Sequence, residues 1–112
     1  MPKRKPLSFL GSALSDLRSF PAAPKQEAGH QLDQVQRGLD PDHWKSMNTI
    51  GPGVREIRIQ DAEGAFRVIY IAKFEEAIYV LHCFQKKTQK TSKADLDLAK
   101  RRYRELINEV RR

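Results

Sequence analysis

A single cysteine, Cys83, stands among the 112 residues. One thiol excludes an internal disulfide and fits a reducing compartment. No apolar stretch approaches the length of a membrane span. The basic start Lys3-Arg4-Lys5 is not followed by an apolar run of signal-peptide length, because Ser8, Gly11, Ser12 and Asp16 interrupt it. The expectation is a cytoplasmic protein with no membrane contact. The chain also lacks low-complexity tracts, while 31% of its residues are charged and 8% aromatic, which favours a folded domain over disorder. At this length one domain over residues 1–112 is expected, with residues 1–6 as a flexible basic tail. The three histidines, His30, His43 and His82, and the lone cysteine show no metal-ligand spacing, so no metal site is expected. Cys83 reads as a small buried residue and not as a nucleophile.

What the chain has in excess is positive charge. Its formal net charge is +7 and its pI about 9.8, a balance that suits a polyanionic partner, most often nucleic acid. The excess is uneven: from Phe84 to Arg112 there are ten Lys or Arg against four Asp or Glu.

Periodicity divides the chain. Leu7, Leu10, Ala13, Leu14 and Leu17 recur at helical steps, which predicts an amphipathic helix ended by Pro21 and Pro24. Ala28, Leu32, Val35 and Leu39 predict a second helix with Gly38 as its stop. The link from Leu39 to Gly53 is loop-like, with a short strand expected around Lys45 to Asn48. From Val54 the period becomes two. Ile57 and Ile59 alternate with Glu56, Arg58 and Gln60, and Asp61 to Gly64 reads as a tight turn. Phe66 to Lys73 is apolar on both faces, as in a central strand, and Ile78 to Gln85 forms the last long strand. Ser92 with Asp95 three residues on resembles a capping box. Leu96, Ala99, Tyr103, Leu106, Ile107 and Val110 then mark a C-terminal helix. The expected fold class is α+β, an antiparallel meander with helices against one face.

The stretch Val80 to Ser92, VLHCFQKKTQKTS, has the greatest chemical interest. A buried strand here delivers Lys86, Lys87 and Lys90 at its carboxyl end. Arg58 and Arg67 come from the two preceding strands, which as hairpin neighbours can bring their side chains to the same place. Fixed cations converging on one surface suit phosphate. The plainer alternatives are solvated sheet-face charge, with Glu56 pairing Arg58, and an internal ion pair for Arg67 in its otherwise apolar strand. His82 is a candidate general acid or base, or a structural strand histidine. Tyr70, Tyr79 and Tyr103 read as core, and the stretch KRRYRE reads as a solvated helix face. Composition and spacing leave a nuclease and a plain binder equally open.

The segments GPGVREIRI, GAFRVIY and LHCFQKKTQKT, followed by an A-x-x-R helix, resemble the phage-related branch of the RelE/ParE/HigB toxin superfamily. These are toxins of type II toxin–antitoxin modules. The resemblance covers nearly the whole chain. It implies a RelE-like fold, with two N-terminal helices packed on a small antiparallel sheet and a C-terminal helix. It implies metal-independent cleavage of mRNA in the ribosomal A site, with the RNA 2′-hydroxyl attacking the adjacent phosphate and no cofactor. A helix-turn-helix antitoxin encoded alongside is the implied partner. Carried over by position, Arg67 matches the strand arginine of the family, Lys87 a catalytic arginine near the end of the last strand, and Arg58 a lysine position. Lysine at 87 loses the bidentate fork of arginine. The tyrosine that follows the last strand in RelE has no counterpart between Lys90 and Lys93. His82, or a lysine whose pKa is lowered by crowded cations, then remains for proton transfer. The expected site is therefore Arg67, Lys87 and His82 for catalysis, with Arg58, Lys86 and Lys90 on the phosphates. A ParE-like gyrase inhibitor and a non-catalytic RNA- or DNA-binding module are the alternatives.

Overall fold

The switch to a two-residue period at Val54 marks where the sheet becomes continuous. The computed structural model describes residues 4–110. In chain order these form β1 (Leu7–Phe9), α1 (Ala13–Arg18), α2 (Ala22–Gln36), β2 (Trp44–Ser46), β3 (Val54–Asp61), β4 (Gly64–Ile71), β5 (Ile78–Lys86) and α3 (Lys93–Val110). The strands make one sheet in the order β1-β5-β4-β3-β2. β4 is central, which is why its residues from Phe66 to Ile71 are all buried. The β3–β4 turn closes on Gly64 at φ 128°, a value open to glycine alone at low cost. The Asp61 side chain accepts the Glu63 amide at 2.8 Å and fixes the turn.

Alternation along the strands builds two cores. Ile57, Ile59, Phe66, Val68 and Tyr70 pack with Leu17 and Phe20 near α1 and with Leu32 and Val35 of α2. Val54, Ile69, Ile71 and Leu81 pack with Ala99 and Leu106 of α3. The helices therefore lie on both faces of the sheet and not on one. The apolar stripe of α3 demands its own cover, and the second face of β4 supplies it.

Two further expectations change. Leu7 to Leu17 is not one helix. Leu7 to Phe9 pairs in parallel with Ile78 to Val80 of β5, so the sheet is mixed and has five strands. Gly11 turns the chain at φ 53°, and only then does α1 begin. A three-residue strand beside β5 gains ladder hydrogen bonds that outweigh its helical spacing. The second helix begins at Ala22, ahead of its expected stripe. Pro24 sits in the first turn, where its missing N–H is no loss. Leu39 lies beyond that helix and is 58% exposed. Of the expected basic tail, Arg4 pairs with Asp33, and the Lys5 ammonium donates to the Ala72 carbonyl at 2.6 Å. Met1 to Lys3 lie outside the described residues.

One irregularity sets the faces of β5. Ile69 pairs with His82 but Tyr70 with Val80, which leaves Leu81 as the extra residue of a β-bulge. The bulge places Tyr79 and His82 on the same face although they are three apart. Arg102 holds it. The buried guanidinium donates from Nη1 to the Leu81 carbonyl at 2.8 Å and from Nη2 to Ser12 Oγ at 3.0 Å. It also fills the space beside Gly11, where a Cβ would lie 2.7 Å from Nη2. Among the described residues no helix is long and apolar enough to cross a membrane.

Candidate phosphate-binding site

Register brings the cations together. Arg58 and Arg67 are direct partners across β3 and β4, and Arg67 pairs with Phe84 of β5. By alternation Glu56, Arg58, Arg67, Phe84 and Lys86 share the face on which α3 packs. Beside the first turn of α3, where Leu96 borders it, this face is open. A groove of about 570 Å³ is lined there by Lys45, Glu56, Arg58, Lys86, Lys90 and Thr91, among others. A second depression of about 440 Å³ is lined by His43, Arg58, Gln60 and Arg67. Arg58 belongs to both and joins them.

The electrostatics are lopsided. Glu56 and Arg67 are buried, at 3% and 6% exposure, with Arg67 Nε 3.6 Å from Glu56 Oε1. Arg67 Nη1 donates to the Phe66 carbonyl at 3.0 Å, while its buried Nε has no hydrogen-bond partner. Thr91 Oγ1 donates to the other carboxylate oxygen of Glu56 at 3.3 Å. Burial pulls the Arg67 guanidinium below its ordinary pKa; Glu56 opposes the shift and Arg58 adds to it. Lys86 is also pulled down, by burial first and then by Arg67, with Arg58 and Lys45 adding and Glu56 opposing. One carboxylate thus faces five cations, Lys45, Arg58, Arg67, Lys86 and Lys90. An anion entering the groove meets a surplus of positive charge that the fold has already positioned.

Of the remaining expected residues, Lys90 lines this groove and Lys87 and His82 line another. Lys87 lies one residue beyond β5 and borders a groove of about 370 Å³ together with His82, Phe20, Phe66 and Gln85; Arg67 does not line that groove. His82 shares the α3 face, but its ring is buried. Nε2 is 2.7 Å from Asp95 Oδ1, and the ring stacks on Phe84 at 4.8 Å. Asp95 in turn accepts from Ser92 Oγ at 2.7 Å and donates its amide to that oxygen at 3.1 Å. His82 therefore anchors the capped start of α3. The Cys83 thiol is pushed up to about 12 by burial, which keeps it protonated and inert. Tyr70 is in the core, Tyr79 donates to Glu76, and Tyr103 covers Gly51, where a Cβ would meet its ring at 2.4 Å.

Glu56, Lys45 and His43 are the residues that sequence reasoning left out of the site. Glu56 appeared there only as a surface partner for Arg58. Its buried pairing with Arg67 depends on strand register, and the two-residue spacing in sequence points only to Arg58.

The family model for "Phage derived protein Gp49-like (DUF891)" matches residues 15–104. The chain belongs to this Gp49-like family. The family is a RelE-like toxin family. The Gp49-like match runs from α1 into α3 and takes in every groove residue named above, while β1 lies outside it. No curated protein matches the chain.

Proposed function

We propose that this Gp49-like protein is the toxin of a type II toxin–antitoxin module and that it stops translation by cutting mRNA on the ribosome. The observation that carries the reading is the register of Arg58 against Arg67, with Lys86 on the same face and Glu56 as the one carboxylate among them. Arg58 and Arg67 hold the scissile phosphate. The RNA 2′-oxygen bonds to phosphorus and gives up its proton, while the 5′-oxygen leaves and takes one. Lys86, whose ammonium is already destabilised by burial and by its cationic neighbours, is the group suited to proton transfer. Basic side chains stabilise the charge that gathers on the phosphorane, in a cleft where they are worth more than in water. A helix-turn-helix antitoxin encoded alongside is the partner this reading requires.

The test is expression without a partner, followed by pulse-labelling. The expected result is arrested protein synthesis with DNA replication continuing at first. Arrested replication with normal protein synthesis points instead to gyrase and overturns the reading.

A further inference from the structure

The basic residues of α3 stay outside the groove and have no role in the chemistry above. Their arrangement is not uniform. Leu96 borders the groove, and Lys100 and Arg104 follow it at four-residue steps. They therefore continue the same ridge of the helix one and two turns further on. Lys93 stands one turn before Leu96 on that side. Lys93 and Arg104 are exposed and Lys100 is half-buried. Among the described residues none of the three has an ion-pair partner, whereas Arg101 is paired with Glu105. Two acids, Asp95 and Asp97, lie between Lys93 and Arg104 in sequence; Asp95 is taken up by His82 and Ser92, and Glu105 and Glu109 stand on another row. From Lys93 to Arg104 the ridge runs about 16 Å along the helix axis.

We infer that this ridge is a second RNA contact, a track for the phosphates of the strand as it leaves the groove. The inference rests on the groove being an RNA site and extends it from the cut phosphate to the flanking strand. A single strand held only in the groove is fixed at one point. The ridge begins beside Leu96 at the groove's edge, lies on a rigid helix and presents cations at successive turns, so a continuing backbone meets charge without a change of direction. It adds affinity without touching the reacting atoms.

The test uses non-cleavable 2′-O-methyl RNA, as a trinucleotide that fills the groove and as an oligonucleotide of roughly ten nucleotides. Binding of both is measured across a salt series for the native protein, for Lys100→Gln/Arg104→Gln, and for Arg58→Gln. The ridge variant is expected to bind the longer RNA more weakly, with a log–log salt slope shallower by about 1.4, since each single-strand phosphate contact contributes about 0.7. Trinucleotide binding, thermal unfolding and single-turnover cleavage at saturating RNA should not change. If the ridge variant matches native affinity and slope on the longer RNA while Arg58→Gln loses both, the ridge is a solvated face and the groove stands. If the ridge dependence holds but native protein cuts no mRNA, the ridge is upheld and the nuclease reading fails.

Discussion

Arg58 and Arg67 stand opposite each other across the β3–β4 ladder, one exposed and one buried, and the carboxylate of Glu56 reaches Arg67. Like charges placed directly across a sheet repel, so the pair is a local cost to the fold. Glu56 is the one buried carboxylate among the described residues, and its ion pair is with the buried arginine. Excess charge of this kind, held in place by register, is what an anion site requires.

The two sides of that relationship predict opposite signs. Arg58→Gln should raise stability by about 0.5 kcal/mol by removing repulsion, while weakening RNA binding. Glu56→Gln should cost about 3 kcal/mol, because it leaves a buried guanidinium without its counter-charge. Adding Arg67→Met to Glu56→Gln should recover most of that loss. Urea unfolding of the four proteins checks all three statements. Equal, small effects would mean that the Glu56–Arg67 pair is not a coupled buried unit.

Cleavage should depend on Lys86 more than on Lys87. Lys86→Ala removes a cation of the groove and should lower single-turnover mRNA cleavage about 10²–10³-fold, or roughly 3–4 kcal/mol. Lys87→Ala should lose no more than about tenfold, or 1.4 kcal/mol, since Lys87 does not line the groove that holds Arg58 and Lys86. Arg67→Ala should abolish cleavage, and thermal unfolding of that variant separates lost chemistry from a lost ion pair. A Lys87→Ala protein that is folded but inactive, beside an active Lys86→Ala, would move the site to the other groove.

Arg102 and Arg101 are adjacent but should respond differently. Arg102→Met leaves the Leu81 carbonyl at the bulge without its 2.8 Å donor, and an unsatisfied buried carbonyl costs about 1–3 kcal/mol. Arg101→Met, at an exposed position, should stay within about 0.5 kcal/mol. Hydrogen exchange should also show faster opening of β5 in the Arg102 variant. Matching stabilities for the two variants would remove the bulge-clamping role.

Stability should fall in alkali through Cys83. Burial raises its thiol from 9.0 to about 12, so above pH 9 the unfolded chain loses this proton before the folded one does. The stabilisation is complete below about pH 9 and is lost as pH rises towards 12, on the order of 4 kcal/mol over the window. Tyr70, whose phenol burial also raises, acts in the same direction. Chemical denaturation at stepped pH should show a shallower decline for Cys83→Ala. An identical slope would mean that the thiol is not protected by the fold.

Legibility in the sequence followed the range of the interactions. Strands β3, β4 and β5 could be read from alternation and from the Asp61–Gly64 turn, because period and turn chemistry are properties of a few neighbouring residues. The start of α3 at Ser92 and Asp95 was legible for the same reason. Convergence of Arg58, Arg67, Lys86, Lys87 and Lys90 was expected because successive hairpin strands are neighbours; Arg58, Lys86 and Lys90 share the groove, and Lys87 does not line it.

Only tertiary structure decided the rest. The pairing of β1 with β5 joins Leu7 to Ile78, and nothing near Leu7 distinguishes that strand from a helical turn. Whether Lys86 or Lys87 enters the groove depends on the bulge at Leu81, which is held by a side chain 21 residues away. A shift of one residue in β5 exchanges the two lysines, because side chains in a strand alternate with a period of two. The choice of Arg67 over Arg58 by Glu56 likewise turns on which of them the sheet buries. Local chemistry set the elements and their charge, and long-range register set which charges face each other.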